Sequence, residues 1–129
     1  MKKLLIALLF IGSALHASIF SDAIDSFAQK DYDRAYTLFH RAINNQSSIQ
    51  ANYFLGLMHL RGLGTQQNLE LAKRHLGVAA TIGNVRARCL LAEVKLLEDD
   101  REGALQILND ASLQNIVECQ QIKQNYNIK

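Results

Sequence analysis

Apolar residues recur every three or four positions through most of the chain, and this spacing predicts one-sided helices. The first pair of helices is expected over residues 19–29 and 32–45, with Asp31 as the cap of the second helix. A polar break follows at residues 44–48, where Ser47 or Ser48 is expected to cap the next helix. The apolar positions of this first pair are Ala23, Phe27, Ala35, Tyr36, Phe39, Ala42 and Ile43.

Two more helix pairs follow. In the second pair, Gly62-Leu63-Gly64 is expected to end the first helix, Asn68 to cap the second, and Gly83-Asn84 to close it. In the third pair, residues 98–100 form an acidic turn between the two helices. Ser112 is expected to cap a last amphipathic helix, and the polar tail over residues 125–129 is expected to fray.

Alanine marks a matching point in the second helix of each pair. Ala35, Ala72 and Ala104 lie 37 and 32 residues apart, a spacing typical of helical repeats that bury their faces by stacking on one another. The absence of a side chain at Gly56 is expected to let its helix approach Ala72 and Ala79 closely. We therefore predict an all-α fold, an α-solenoid of about three helix-turn-helix repeats plus a C-terminal helix.

The start of the chain has a different pattern. Lys2 and Lys3 precede an unbroken apolar run over residues 4–11, and small residues follow it. This order is typical of a secretory signal peptide, and the run is shorter than the roughly 20 residues that span a bilayer. We predict a signal peptide over residues 1–17 and a helical-repeat domain over 18–129. Cleavage is expected after Ala17, with Ala14 as the alternative.

Cleavage predicts a periplasmic or secreted protein without a stable membrane span; an uncleaved anchor or a buried helix is the other interpretation.

The composition of the chain narrows the class of protein. The 129 residues allow one domain, and 49% hydrophobic with 20% charged residues exclude a disordered chain. Lys2 and Lys3 are the only charged residues before Asp22, so the remainder carries 12 basic and 12 acidic residues. Without a clustered basic face, no nucleic-acid partner is expected.

Small and apolar residues recur at fixed positions between residues 51 and 84, namely Ala51, Leu55, Gly56, Met58, Gly62, Gly64, Ala72, Ala79, Ala80, Gly83 and Asn84. With this pattern, residues 51–84 resemble a Sel1-like repeat, a relative of the tetratricopeptide repeat. Residues 27–42 resemble the degenerate unit that opens such arrays, and residues 86–111 resemble a shortened third unit. The sequence departs from the family pattern at His59, Thr65 and His75, where tyrosine, valine and tryptophan are usual.

The resemblance implies an adaptor of the exported bacterial type, which holds other proteins together. Some exported relatives are described as penicillin-binding or β-lactamase-like, so a cell-wall protein of that kind is the alternative function. Those relatives carry paired cysteines in each repeat, whereas this chain has two cysteines in all. No serine is followed three residues later by lysine, the arrangement that serine acyl chemistry on penicillins uses. We therefore predict no enzymatic activity and no cofactor.

A protein or peptide partner is expected on the concave side of the repeats, which the first helix of each pair lines. Tyrosine and arginine are favoured anchors at such surfaces. An alternative interpretation places Leu57 and Leu60 in the core instead. The predicted partner-binding residues are Tyr53, Leu57, Leu60, Arg61, Arg86 and Glu93.

Cys89 and Cys119 lie in helices that a solenoid makes neighbours, and export would permit a disulfide between them. We predict this bond, with two buried free thiols as the alternative. His59 and His75 are expected to face each other across the second helix pair. Two imidazoles could supply two of the ligands of a zinc site. The favoured interpretation is that both histidines pack between helices at positions where the family has aromatic residues, so no metal site is predicted. His40 has no partner visible in the sequence.

Overall fold

The computed structural model describes residues 19–45 and 48–129, and every regular element within them is a helix. The predicted signal peptide over 1–17 and the predicted cap Ser47 lie outside the described residues. Three helix hairpins, α1/α2, α3/α4 and α5/α6, are followed by a short 3-10 turn over Ala111–Leu113 and by helix α7. This confirms the all-α solenoid. The helices are α1 (19–28), α2 (Tyr32–Asn44), α3 (Ala51–Arg61), α4 (Leu69–Thr81), α5 (Val85–Leu97), α6 (Arg101–Leu108) and α7 (Val117–Asn125).

The helices stack in the order of the chain. Helix α3 packs against α2 and α4, and α5 packs against α4 and α6. Helix α3 also contacts α5, and α5 contacts α7, so the first helices of successive hairpins form a continuous row that ends in α7. This nearest-neighbour packing is the arrangement of a repeat array, in which each hairpin buries its apolar face on the next one.

The second helix of each hairpin begins in the same way. The side chains of Asp31, Asn68 and Asp100 accept a hydrogen bond from the N–H three residues further on, at 3.3, 2.9 and 2.9 Å. Their backbone carbonyls accept the N–H of an alanine four residues on, at 2.9, 2.9 and 3.1 Å. These caps satisfy backbone donors that would otherwise be unpaired at the helix start. The alanines are Ala35, Ala72 and Ala104, all completely buried.

The predicted glycine turn joins the second hairpin to the first. Gly62 ends α3 in the left-handed conformation, with φ of 67°, and donates its N–H to the Met58 carbonyl. Gly64 also has a positive φ of 65° and lies against the backbone of Tyr32 at the start of α2. A Cβ at this position would collide with the Tyr32 carbonyl group, so only glycine fits here without displacement.

Two serine caps predicted from the sequence are wrong. Helix α3 begins after Gln50 without a side-chain cap, and the Ser48 hydroxyl donates to Gln50 Oε1 at 3.1 Å instead. Ser112 lies within the 3-10 turn, and its N–H and hydroxyl both donate to Asp110 Oδ1. Helix α7 starts only at Val117, after Ile116, and has no side-chain cap.

The prediction that the tail over residues 125–129 frays is wrong. The Ile128 N–H donates to the Lys123 carbonyl at 2.8 Å, and the Ile128 side chain is buried in the same apolar cluster as Cys119 and Ile122. The close approach predicted at Gly56 is confirmed, but its neighbour is Leu76 rather than the two alanines: a Cβ on Gly56 would collide with the Leu76 side chain. No helix within the described ranges is long and apolar enough to cross a membrane.

Candidate functional site

A cavity of about 200 Å³ lies between the first helices of the hairpins and the C-terminal helix. Helix α3 contributes Tyr53, Leu57 and Arg61, one side chain for each turn of the helix, and α5 contributes Leu90. Helix α7 forms the opposite wall. We call this cavity the groove pocket. The residues of α7 that line it are Glu118, Gln121, Ile122 and Asn125.

An ion pair between α3 and α5 supports the groove pocket. Arg61 donates two hydrogen bonds to the Glu93 carboxylate, at 2.8 and 2.6 Å. The Glu93 side chain is only 7% exposed, whereas that of Arg61 is 40% exposed. Because the carboxylate is nearly removed from water, the guanidinium is its necessary counter-charge. The hydrogen bonds to Glu93 raise the pKa of Arg61.

A second set of contacts joins the groove pocket to α7. The Arg86 guanidinium lies over the Tyr53 ring, 4.8 Å from its centre, and its Nε is 3.7 Å from Glu118 Oε1. A cation above an aromatic face is attracted by the ring's electron density. Burial raises the pKa of Tyr53, so its phenol stays neutral over the physiological range. These contacts hold the start of α7 against α3 and α5.

The structure brings together most of the predicted partner-binding residues, but not all of them face the groove. Tyr53, Leu57 and Arg61 line the groove pocket, and Arg86 and Glu93 hold its edge through the contacts above. Leu60 is completely buried in the core with Leu76, so its predicted position on the groove is wrong. The alternative interpretation therefore holds for Leu60. Partner binding by the other five residues stays a prediction.

The predicted disulfide is confirmed. Cys89 of α5 and Cys119 of α7 are bonded, with their Cα atoms 4.9 Å apart, and both are buried beside the groove pocket. The bond closes a segment of 30 residues that includes all of α6. In the chain-entropy model, a loop of this length stabilises the fold by about 3–4 kcal/mol.

A cluster of three histidines, which the sequence suggested only in part, joins the first and second hairpins. The rings of His59 and His75 stack in parallel with their centres 5.8 Å apart, as predicted for this pair. His40 is added from α2, with its ring centre 6.2 Å from that of His75. Tyr36 packs edge-on against His40, and its hydroxyl is 3.5 Å from His59 Nε2.

Hydrogen bonds fix the orientation of one of these rings. The Asn52 amide donates from Nδ2 to the Ile49 carbonyl at 3.0 Å, which turns its Oδ1 toward His75. His75 Nδ1 therefore donates to Asn52 Oδ1 at 2.9 Å. Burial lowers the pKa of His75 to about 4, and the neighbouring His59 adds to the shift.

The histidine cluster is neutral at pH 7. Burial also lowers the pKa of His40 and of His59, so none of the three rings carries a charge there. A pocket lined by Tyr36 and His59 opens beside the cluster toward residues 65–68 and Leu71. Within residues 19–45 and 48–129, no group of three or more histidine, cysteine, aspartate or glutamate side chains could hold a metal ion.

Two contributors to these sites were missed in the sequence. Tyr126 follows α7 and packs against the apolar core, and burial raises its pKa, with the nearby Glu93 adding to the rise. The spacing of Cys119, Ile122 and Tyr126 at three and four residues would have placed all of them on one helix face. The second missed contributor is Tyr36, which packs against His40 in the histidine cluster. These two residues are four positions apart in α2, and this spacing would have placed them on one helix face.

The stacked hairpins define a helical-repeat protein of the solenoid class, with a groove between its first helices and α7. The family model of the Sel1 repeat matches residues 25–47 and 49–84, which cover most of the first two hairpins. The chain is a Sel1-like repeat protein. Sel1 repeats are helical repeats that typically mediate protein–protein interaction. No solved structure matches the chain significantly. The α5/α6 hairpin repeats the same cap and alanine arrangement beyond the matched residues.

Proposed function

We propose that this protein is an exported scaffold or adaptor that binds a protein or peptide through the groove formed by α3 and α5. The observation that carries the proposal is the groove pocket, where one tyrosine, one leucine and one arginine of α3 converge. Aromatic and arginine side chains are the residues that most often dominate binding energy at protein interfaces. Leu57 and Arg61 are partly open to solvent there, so a partner can reach them.

Site-specific crosslinking tests this proposal. A photoreactive amino acid replaces Leu57 in the groove, and a matched control replaces Arg74, which is exposed on α4 outside the groove pocket. A protein captured from Leu57 but not from Arg74 would then be purified and titrated against the wild-type chain and Leu57→Asp. Binding that Leu57→Asp abolishes supports the groove. Capture from both positions alike, or from neither, contradicts it.

The export part of the proposal rests on the N-terminal pattern and is supported by the disulfide. Disulfides persist in oxidising compartments such as the bacterial periplasm and the extracellular space. Removal of residues 1–17 would leave a chain that begins at Ser18. Intact mass measurement of the protein from its native host is expected to show this start. A chain that retains residues 1–17 would contradict cleavage after Ala17.

A further inference from the structure

Helix α7 is short, and few of its side chains are buried. Of its nine residues, only Cys119 and Ile122 are buried, and Val117 is 59% exposed. An isolated helix of this length is not stable in water, so α7 depends on what it packs against. It is held by the disulfide to Cys89, by the Glu118–Arg86 pair and by the apolar contacts of Cys119 and Ile122, and Ile128 beyond its end is buried in the same apolar cluster.

The surface under α7 is the same surface that the proposed function assigns to a partner. Four side chains of α7 face Tyr53, Leu57, Arg61 and Leu90 across the groove pocket. The buried side of α7 continues into Tyr126, which packs against the same apolar cluster as Cys119 and Ile122. Ile122 lines the groove pocket, and Cys119 and Tyr126 pack with it in the apolar core. The three residues follow the i, i+3, i+7 spacing by which an amphipathic helix lies in a groove. Helix α7 thus occupies the groove as a helical ligand would.

We propose that α7 is an internal ligand of the groove, and that reduction of the Cys89–Cys119 bond exchanges it for a short amphipathic helix of a partner. This inference rests on the proposed function, because it names the class of partner that the groove binds. The partner helix carries three apolar residues at i, i+3 and i+7. An acidic residue directly before the first of them meets Arg86, as Glu118 does.

The chemical step is a thiol–disulfide exchange with a dithiol reductant. A thiolate of the reductant attacks one sulfur of the Cys89–Cys119 bond and forms a mixed disulfide. The second thiol of the reductant then displaces the remaining cysteine. Two electrons and two protons pass to the protein, which now carries two thiols, while the reductant becomes a disulfide. No further co-reactant is needed.

Hydrogen exchange of the full chain tests the release of α7. The oxidised protein is compared with the protein in excess dithiothreitol and with the variant Cys89→Ser/Cys119→Ser. We expect the amides of α7 to exchange on the order of 100-fold faster in the dithiothreitol sample and in the variant than in the oxidised protein, because both lack the disulfide that closes the loop. The amides of α3 and α4 are expected to keep their protection. If α7 stays as protected as in the oxidised chain, the proposal is wrong. It is also wrong if α3 and α4 lose protection together with α7.

A peptide titration tests the partner class. The labelled probe is a peptide of residues 114–129 with Cys119→Ala, and the matched control peptide also carries Ile122→Asp. After reduction, the tethered α7 still competes at millimolar effective concentration. The receptor is therefore the full chain with Cys119→Ser/Ile122→Asp, called the unseated receptor. In it, α7 has neither the disulfide nor its central apolar contact and is expected to leave the groove. Fluorescence anisotropy is expected to show binding to this receptor and none to the oxidised wild type. The control peptide should bind at least about 10-fold more weakly, since its central anchor is charged.

These outcomes separate the inference from the proposed function. Equal binding of both peptides, or no binding to the unseated receptor, overturns the inference. If Leu57 captures a partner in cells while α7 stays protected after reduction, the inference fails and the proposed function stands. If reduction frees α7 and the probe binds, but Leu57 captures no partner, the inference about the groove stands and the cellular function fails.

Discussion

Replacing His75 is expected to reduce the dependence of stability on pH. In the folded protein the pKa of His75 is lowered to about 4, whereas an unfolded chain protonates the same ring near 6.5. Between these two values the unfolded state binds the additional proton, so the free energy of unfolding falls as the pH falls. The contribution of His75 is complete above pH 6.5 and is lost progressively down to about pH 4.

The magnitude follows from the width of this window. A difference of about 2.5 pKa units corresponds to a loss of up to about 3 kcal/mol from a single histidine. His40 and His59 have lowered pKa values as well, so their effects have the same sign. The variant His75→Gln removes the titrating ring and keeps an N–H that can reach Asn52 Oδ1.

Urea unfolding between pH 7.5 and 4.5 at constant ionic strength measures this effect. The two proteins share every other titrating group, so the difference between their curves isolates His75. We expect the wild type to lose about 2 kcal/mol more than His75→Gln over this range, since the range stops above the folded pKa. Parallel curves would refute the reasoning. So would an NMR titration in which the His75 ring of the folded wild type titrates near pH 6.5.

Three further substitutions test the packing around the groove and the repeats. Arg61→Met is expected to cost about 1–3 kcal/mol in urea unfolding, because it strands the buried Glu93 carboxylate. The double variant Arg61→Met/Glu93→Met should recover most of this loss, and a double variant as unstable as the single one would contradict the ion-pair argument. Gly64→Ala should destabilise by more than about 1 kcal/mol, through its positive φ and the collision with the backbone of Tyr32. In contrast, Gly77→Ala should raise the thermal midpoint, with a gain of about 0.5–1 kcal/mol, because this helical position has open space for a methyl group; a lower midpoint would show that the space is not available.

The features that the sequence predicts well are those controlled by residues close together in the chain. Helix positions follow from apolar spacing, and the caps at Asp31 and Asn68 follow from side chains that reach a backbone N–H three residues away. The predicted cap at Ser112 is wrong because Ser112 lies inside a 3-10 turn that Asp110 caps, ahead of the start of α7 at Val117. Competition between neighbouring polar residues has no signature in periodicity, so helix starts in polar segments are the least predictable positions.

Contacts between hairpins were predicted less completely, for a related reason. The pairing of His59 and His75 could be inferred within one hairpin, because its two helices are antiparallel neighbours. The addition of His40 needs the relative rotation of α2 and α4, which depends on how the Gly64 turn lies against Tyr32. Repeat spacing gives the order of the helices along the solenoid but not this rotation.

The groove residues illustrate where prediction from helix faces stops. The prediction placed both Leu57 and Leu60 on the groove, since it assumed that α3 has one buried face. Leu57 lines the groove pocket while it also packs against the core, whereas Leu60 is completely buried. In the structure α3 is covered by α2, α4 and α5, so a helix at the centre of the array is buried on several sides. The disulfide then adds α7 to the same row of first helices. A confirmed bond between Cys89 and Cys119 therefore implies that α7 forms one wall of the groove pocket in the oxidised chain, so a partner in the groove must either displace α7 or contact it.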